Sequence, residues 1–242
     1  MSDGRNTASH ANSRRRPIRA AAWQTCHASS RRAMRHRRLA AAVALTLALA
    51  ACSSGPADPA ADYAAKLQAE RAAKDEAFRR QVGQPIPADK MNELLPLRYF
   101  PADLSFVVPA SFTPARTRTP VQMPTSTGQI RAMELVGELE FTLRERQFSM
   151  GAFVEAGTPP DRLFVPFTDL TTGTETYAAG RYLEIPRTAT GIYTVDFNRA
   201  FQPYCAYNAS YDCPYPPASN RLPIHIRAGE KSPQALMPMP GR

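Results

Sequence analysis

The stretch Met133-Glu-Leu-Val-Gly-Glu-Leu-Glu-Phe-Thr-Leu143 decides the fold class of this 242-residue chain. Its odd positions carry Met, Leu, Gly, Leu, Phe and Leu, while its even positions are mostly Glu and Thr. Alternation with a period of two describes a strand with one buried and one wet face. Arg144-Glu-Arg146 follows as a turn, and residues 147–154 return as the hairpin partner. Working outward, further strands are expected at residues 106–108, 163–167, 181–185, 192–197 and 223–226, separated at short intervals by Gly and Pro. No internal repeat is visible. The pattern predicts a mainly β (α+β) domain, an antiparallel β-sandwich or a barrel-like sheet, preceded by one or two N-terminal helices.

The first helix is marked by Asp58 as N-cap and Pro59 at the first helical position. From there to about Gln81 the chain is rich in Ala, Glu, Lys and Arg, all good helix formers. Glu70/Lys74, Arg71/Asp75 and Asp75/Arg79 fall four apart and predict mutual support on the helix surface. Only Tyr63, Leu67, Phe78 and Val82 offer larger apolar contacts, so the helix is expected to pack along the domain edge by a narrow stripe. Gly83 and Pro85 end it, and a second, shorter helix is expected over residues 88–95.

Upstream lies an address. Leu39-Ala-Ala-Ala-Val-Ala-Leu-Thr-Leu-Ala-Leu-Ala-Ala51 contains no charge. It is too short to cross a bilayer, which takes about 20 apolar residues, but it suits a signal-peptide core. Arg35, Arg37 and Arg38 precede it, and Leu49-Ala-Ala-Cys52 closes it. That order resembles the lipobox of bacterial lipoproteins, which implies cleavage before Cys52 and lipid on its thiol. Met34 opens a complete signal of its own, so residues 1–33 read as a mis-assigned extension and 34–51 as the signal peptide. Residues 52–60 read as a tether, 61–231 as a single β-rich domain and 232–242 as a disordered tail. Ser53 after the lipidated cysteine resembles the pattern sorted to the outer membrane, so the expected location is the bacterial cell envelope, lipid-anchored and facing the periplasm.

The cut changes the charge. The whole chain carries +9, yet ten of its 30 basic residues and one of its 21 acidic residues precede Cys52, leaving 20 of each sign. A nucleic-acid partner loses its electrostatic support. Cys205 and Cys213 remain as an even pair in an exported chain and read first as a disulfide, contributing about 2.6 kcal/mol in the chain-entropy model.

Catalytic motifs are scarce. His225 is the one histidine after Cys52, and it reads as a strand or surface residue. The glycines form no phosphate loop, the cysteine and histidine spacings match no standard zinc site, and neither a metal nor a cofactor is expected. The densest polar and aromatic stretches are residues 171–182 and 196–221. In the first, Glu175, Tyr177 and Arg181 bring a carboxylate, a phenol and a guanidinium into one Gly-bounded loop. In the second, Asp196 and Asn198 leave a strand for a loop holding Tyr204, Cys205, Tyr207 and Asn208. The blander reading pairs Arg181 with Glu175 or Asp196 and uses the aromatics to cover a sheet end.

Seven runs then resemble one family: Met123-Pro-Thr-Ser-Thr-Gly128, Leu163-Phe-Val-Pro-Phe-Thr-Asp169, Glu175-Thr-Tyr-Ala-Ala-Gly-Arg-Tyr182, Asp196-Phe-Asn-Arg-Ala200, Pro203-Tyr-Cys-Ala-Tyr-Asn208, Cys213-Pro-Tyr-Pro-Pro217, and Asn220-Arg-Leu-Pro223 through Ala228-Gly-Glu-Lys231. The family is that of bacterial and archaeal proteins catalogued as domain of unknown function 1684, and the resemblance runs from about Tyr63 to Lys231. It implies kinship and no agreed activity. Members lacking an export signal are similar around both cysteines, which makes the pair less simply a disulfide and shifts weight toward a site built around Cys205 and Cys213.

Three functions are in view. The first is a non-enzymatic envelope lipoprotein binding a small polar or anionic ligand, with Glu175, Tyr177, Arg181, Asp196 and Asn198 lining the pocket and Arg181 as a bidentate fork. The second is a hydrolase using Asp196 or Glu175 as general acid or base. The third is a docking module for another envelope protein, with Tyr204, Tyr207, Tyr211 and Tyr215 as an aromatic patch.

Overall fold

A computed structural model describes residues 58–81 and 84–232. The proposed extension, signal peptide, Cys52 and most of the tether and tail therefore lie outside the described residues, as do Val82 and Gly83. Six strands form one antiparallel sheet in the order β5-β4-β3-β2-β1-β6. They are β1 (Val107–Pro124), β2 (Ile130–Leu143), β3 (Arg146–Glu155), β4 (Arg162–Phe167), β5 (Arg181–Pro186) and β6 (Ile192–Asp196). β5 approaches β6, so the sheet curls into a nearly closed barrel rather than splitting into a sandwich. Its interior is filled by Phe106, Leu139, Met150, Val165, Val195 and Phe197, among others.

The hairpin of β2 and β3 turns on Arg144 and Glu145, both left-handed (φ 49 and 63°), with Leu143 paired to Arg146. Two such residues in a two-residue loop match the twist of the flanking strands. The alternation in β2 holds only in part, because a bulge between Leu135 and Gly137 inserts one residue. Beyond it Leu139, Phe141 and Leu143 point into the barrel together with Val136, whereas Met133 and Leu135 point outward. Gly137 is required there. A Cβ would lie 2.4 Å from the Phe112 ring and 2.6 Å from the Thr113 carbonyl oxygen. The odd positions of residues 133–143 thus serve two faces, a correction to the single face expected.

Two further expectations change. β1 runs for 18 residues, far beyond 106–108. β6 pairs only with Val107–Ser111, so Pro114 and Pro120 fall where β1 has β2 on one side alone and a missing N–H costs no ladder bond. Residues 223–226 form no strand. Their backbone is claimed by side chains instead: Arg181 donates to the carbonyl of Ile226 (2.8 Å), and Ile226 N–H donates to Asp169 (2.7 Å).

The N-terminal helix α1 spans Pro59–Arg80, with Asp58 accepting from Ala60 N–H at 2.9 Å. A short 3-10 turn (Ala88–Lys90) and α2 (Met91–Leu94) fulfil the second expectation. Leu67 and Phe78 are buried as expected, but of the charges on α1 only Glu76 and Arg80 pair along its surface (3.9 Å) among the described residues, and Glu70, Arg71, Lys74 and Asp75 do not pair as the four-residue spacing suggested. They reach across to the barrel. Glu70 meets Arg199, Arg71 donates to the Phe100 carbonyl (3.1 Å), and Lys74 pairs with buried Glu230. Asp75 accepts from Leu97 N–H at 3.0 Å.

Candidate functional site

Strand parity builds the site. On the outer face of the sheet, register aligns Tyr182 and Glu184 of β5 with Phe164 of β4, Phe153 and Glu155 of β3, Arg131 and Met133 of β2, and Val121 and Met123 of β1. An outer face would ordinarily be polar. Here Met123, Met133 and Phe153 are buried on it, packed with Val121, Leu135 and Phe164.

Residues 201–214 cross this face as a strap. One end is held at β5, where Tyr182 and Phe201 exchange backbone hydrogen bonds of 2.8 and 3.0 Å. The other end is held beside β1, where Ser126 N–H donates to the Cys213 carbonyl (2.9 Å) and Tyr215 N–H to the Pro124 carbonyl (2.8 Å). Between strap and sheet lies a cavity of about 510 Å³, within the range of small-molecule sites. Phe164, Tyr182 and Phe201 form an edge-to-face series along its wall, with ring centroids 4.8 and 5.9 Å apart. Tyr204 and Tyr211 meet edge to face at 5.3 Å from the strap side, and Met133 and Pro214 complete the apolar lining.

The charged groups of the cavity are Arg131, Asp212, Glu155 and Glu184. Arg131 is spoken for: its Nη2 donates to the Asp212 carbonyl oxygen (2.8 Å) and carboxylate (3.2 Å). Hydrogen bonds from Thr125 and Thr127, and then from Arg131, hold the Asp212 carboxyl below its ordinary range.

Cys213 also lines the cavity, and Cys205 stands behind it. Both are free thiols, each 7% exposed. The expected disulfide is thus absent, and Cys213 Sγ instead accepts the backbone N–H of Cys205 at 3.2 Å. The neighbouring Cys213 thiol outweighs burial and lowers the Cys205 thiol from 9.0 to about 7. Its pairing with Cys205, and then burial, push the Cys213 thiol up. The pair therefore holds one readily lost proton beside an apolar chamber.

The five residues expected to share a pocket are dispersed. Arg181 precedes Tyr182 on β5, so it points to the opposite face and into the barrel, 1% exposed. There it pairs with Asp169 (3.4 Å) and donates to the carbonyls of Ile226, Ala228 and Glu230. Burial lowers its pKa. Gly180 sets this entry: its φ is 90°, and a Cβ would lie 2.6 Å from the Phe167 carbonyl oxygen. Glu175 pairs with Arg227 on the surface at 2.8 Å, and the Tyr177 hydroxyl donates to the Cys205 carbonyl at 3.4 Å. Asp196 and Asn198 anchor α1 and the chain at Asp103. Tyr63 donates to both Asp196 carboxylate oxygens at 2.8 Å, Asn198 Nδ2 donates to the Asp103 carbonyl (2.8 Å), and Asn198 Oδ1 accepts from Asp103 N–H (2.9 Å). Burial, and then the hydrogen bond to Asp196, raise the Tyr63 pKa. Of the four tyrosines read as a contact patch, Tyr204 and Tyr211 line the cavity, while Tyr207 is buried with its hydroxyl on Glu230 (2.6 Å).

Sequence reading missed Arg131, Met133, Glu155, Phe164, Tyr182, Glu184 and Phe201 as site residues. One signal was present: Leu163-Phe-Val-Pro-Phe167 is apolar on both faces, as a strand covered on both sides must be. Among the described residues no group of three or more His, Cys, Asp or Glu side chains could hold a metal ion.

Residues 93–231 match the family described as "Protein of unknown function (DUF1684)". The chain is also similar to an uncharacterized protein of Haloarcula marismortui solved by solution NMR. The two are 36% identical with a TM-score of 0.57, covering 70% of this chain and 94% of that one. No curated protein matches the chain.

Proposed function

We propose, for a chain that belongs to the family of proteins of unknown function DUF1684, that it is a lipid-anchored protein of the bacterial envelope which binds a small organic molecule between its strap and the outer face of its barrel. The observation that supports this reading is the 510 Å³ cavity walled by Phe164, Tyr182, Phe201, Tyr204 and Tyr211. A sheet that needed only to close its interior would carry polar residues on that face. This one turns Met133 and Leu135 outward by a bulge and sets a doubly pinned strap over them. Ligand pockets have this composition, an apolar and aromatic wall with a few polar groups.

A hydrolase reading built on Asp196 or Glu175 has less support. Asp196 is committed to Tyr63, Asn198 and Arg199, Glu175 to Arg227, and neither lines the cavity.

Anchoring rests on the sequence before Ala57, from the apolar core to Cys52 and Ser53. The full chain purified from membranes and studied by native mass spectrometry tests both parts. Lipid mass on Cys52, together with a second mass released on denaturation, is the expected result. A Cys52→Ala chain that still fractionates with membranes contradicts the anchor. A bare domain that takes up no compound from a fragment library contradicts ligand binding.

A further inference from the structure

We infer that the molecule this cavity takes is an organic cation, an amine carried on an apolar body. The inference rests on the ligand-binding reading above and names its ligand class.

Three observations converge on it. First, the cavity offers an anionic ligand no unengaged cation. Its one cation, Arg131, is bonded twice to Asp212, and the Arg181 guanidinium lies on the other face of β5, buried against Asp169. Second, its carboxylates outnumber that cation. Glu155 has no cationic partner among the described residues. Among the described residues Glu184 forms an ion pair only with Arg162, at 3.6 Å with side chains 49% and 59% exposed, a contact that solvent screens. Register sets Glu155 opposite Met133 and Glu184 opposite Phe164, so both carboxylates stand on the strands that form the apolar floor.

Third, the walls are aromatic from several sides. Phe164 meets Tyr182 at 73° and Tyr182 meets Phe201 at 90°, while Tyr204 meets Tyr211 at 78° from the strap. Rings set at right angles around a chamber are how proteins enclose ammonium groups, whose charge is drawn to the ring faces. Excess carboxylate with aromatic enclosure selects a positive head group, and Met133 with Pro214 accepts its apolar remainder.

The test uses three probes that share a phenyl group on a four-carbon chain and end in a cationic, a neutral or an anionic head group: 4-phenylbutylammonium, 4-phenylbutan-1-ol and 4-phenylbutanoate. They are titrated into the membrane-purified chain in detergent at neutral pH and low salt. The expected order is amine, alcohol, acid, with the amine at least tenfold tighter than the alcohol. The double substitution Glu155→Gln/Glu184→Gln brings the amine to the affinity of the alcohol. Both positions are exposed, so the fold is retained. Alcohol binding as tight as amine binding would overturn the cationic ligand and leave the cavity as a binding site. Saturable binding by none of the three would overturn both.

Discussion

The Tyr182 hydroxyl donates to the carbonyl oxygen of Pro214 at 2.5 Å, while the Tyr182 backbone is paired with Phe201. A single residue of β5 therefore holds both ends of the strap, one through its main chain and the other through its side chain. Burial raises the pKa of this phenol, so it remains a donor throughout the physiological range.

Tyr182→Phe removes the hydroxyl and keeps the ring and the backbone pairing. The expected loss of stability is about 1 kcal/mol, the worth of one hydrogen bond. Affinity for the cavity ligand falls more than stability does, because the far end of the strap loses its bond to β5 and is held only by the backbone bonds beside β1. Equilibrium denaturation and titration calorimetry on the same variant separate the two effects.

Arg181→Leu behaves in the opposite way. It leaves the buried Asp169 carboxylate without its countercharge and the carbonyls of Ile226 and Ala228 without their donor. Removing one partner of a buried pair costs roughly 3–5 kcal/mol. A denaturant midpoint close to that of the parent chain would show that the buried pair contributes little to closing the barrel end.

The thiol pair predicts a pH effect. Cys205 titrates at about 7 against an ordinary 9.0, so thiolate absorbance at 240 nm in the folded chain rises around pH 7. A depressed folded-state pKa contributes stability that is present above 9 and lost as pH falls through 7. The raised Cys213 works the other way at high pH, so the absorbance step is the cleaner readout. Cys213→Ala removes the neighbour that most lowers the Cys205 thiol and moves the step upward.

The docking of α1 depends on polar contacts with the barrel. Tyr63→Phe deletes the hydroxyl that bridges both oxygens of Asp196. A hydrogen bond to a charged group contributes about 1.5–3 kcal/mol. Amide exchange in Pro59–Arg80 should quicken accordingly while the protection of β2 and β3 is unchanged.

Much of this fold was legible in the sequence, because alternation and turn chemistry are local. The β2–β3 hairpin, β4, β5, β6 and the Asp58 cap all stand where the pattern placed them. What was not legible depends on partners remote in sequence. The bulge at Leu135–Gly137 is marked in the sequence only by the lone Gly137, yet it reassigns Met133 and Leu135 to the outer face and creates the site. The charges of α1 satisfy the helical spacing rule equally well when they pair with the barrel. The sequence places Arg181 at the start of a strand and also groups it with Glu175 and Tyr177 in the preceding loop, but as strand neighbours Arg181 and Tyr182 must face opposite ways. The cavity received the tyrosine and the core received the arginine.

The most direct test of the account maps the ligand onto the chain. Amide shift perturbation on adding 4-phenylbutylammonium to the isotope-labelled protein reports which backbone positions sense it. The account predicts shifts confined to Arg131, Met133, Phe153, Glu155, Phe164, Tyr182, Glu184 and the strap residues 201–214. Shifts centred on Glu175, Tyr177, Asp196 and Asn198, with the strap unmoved, would contradict it.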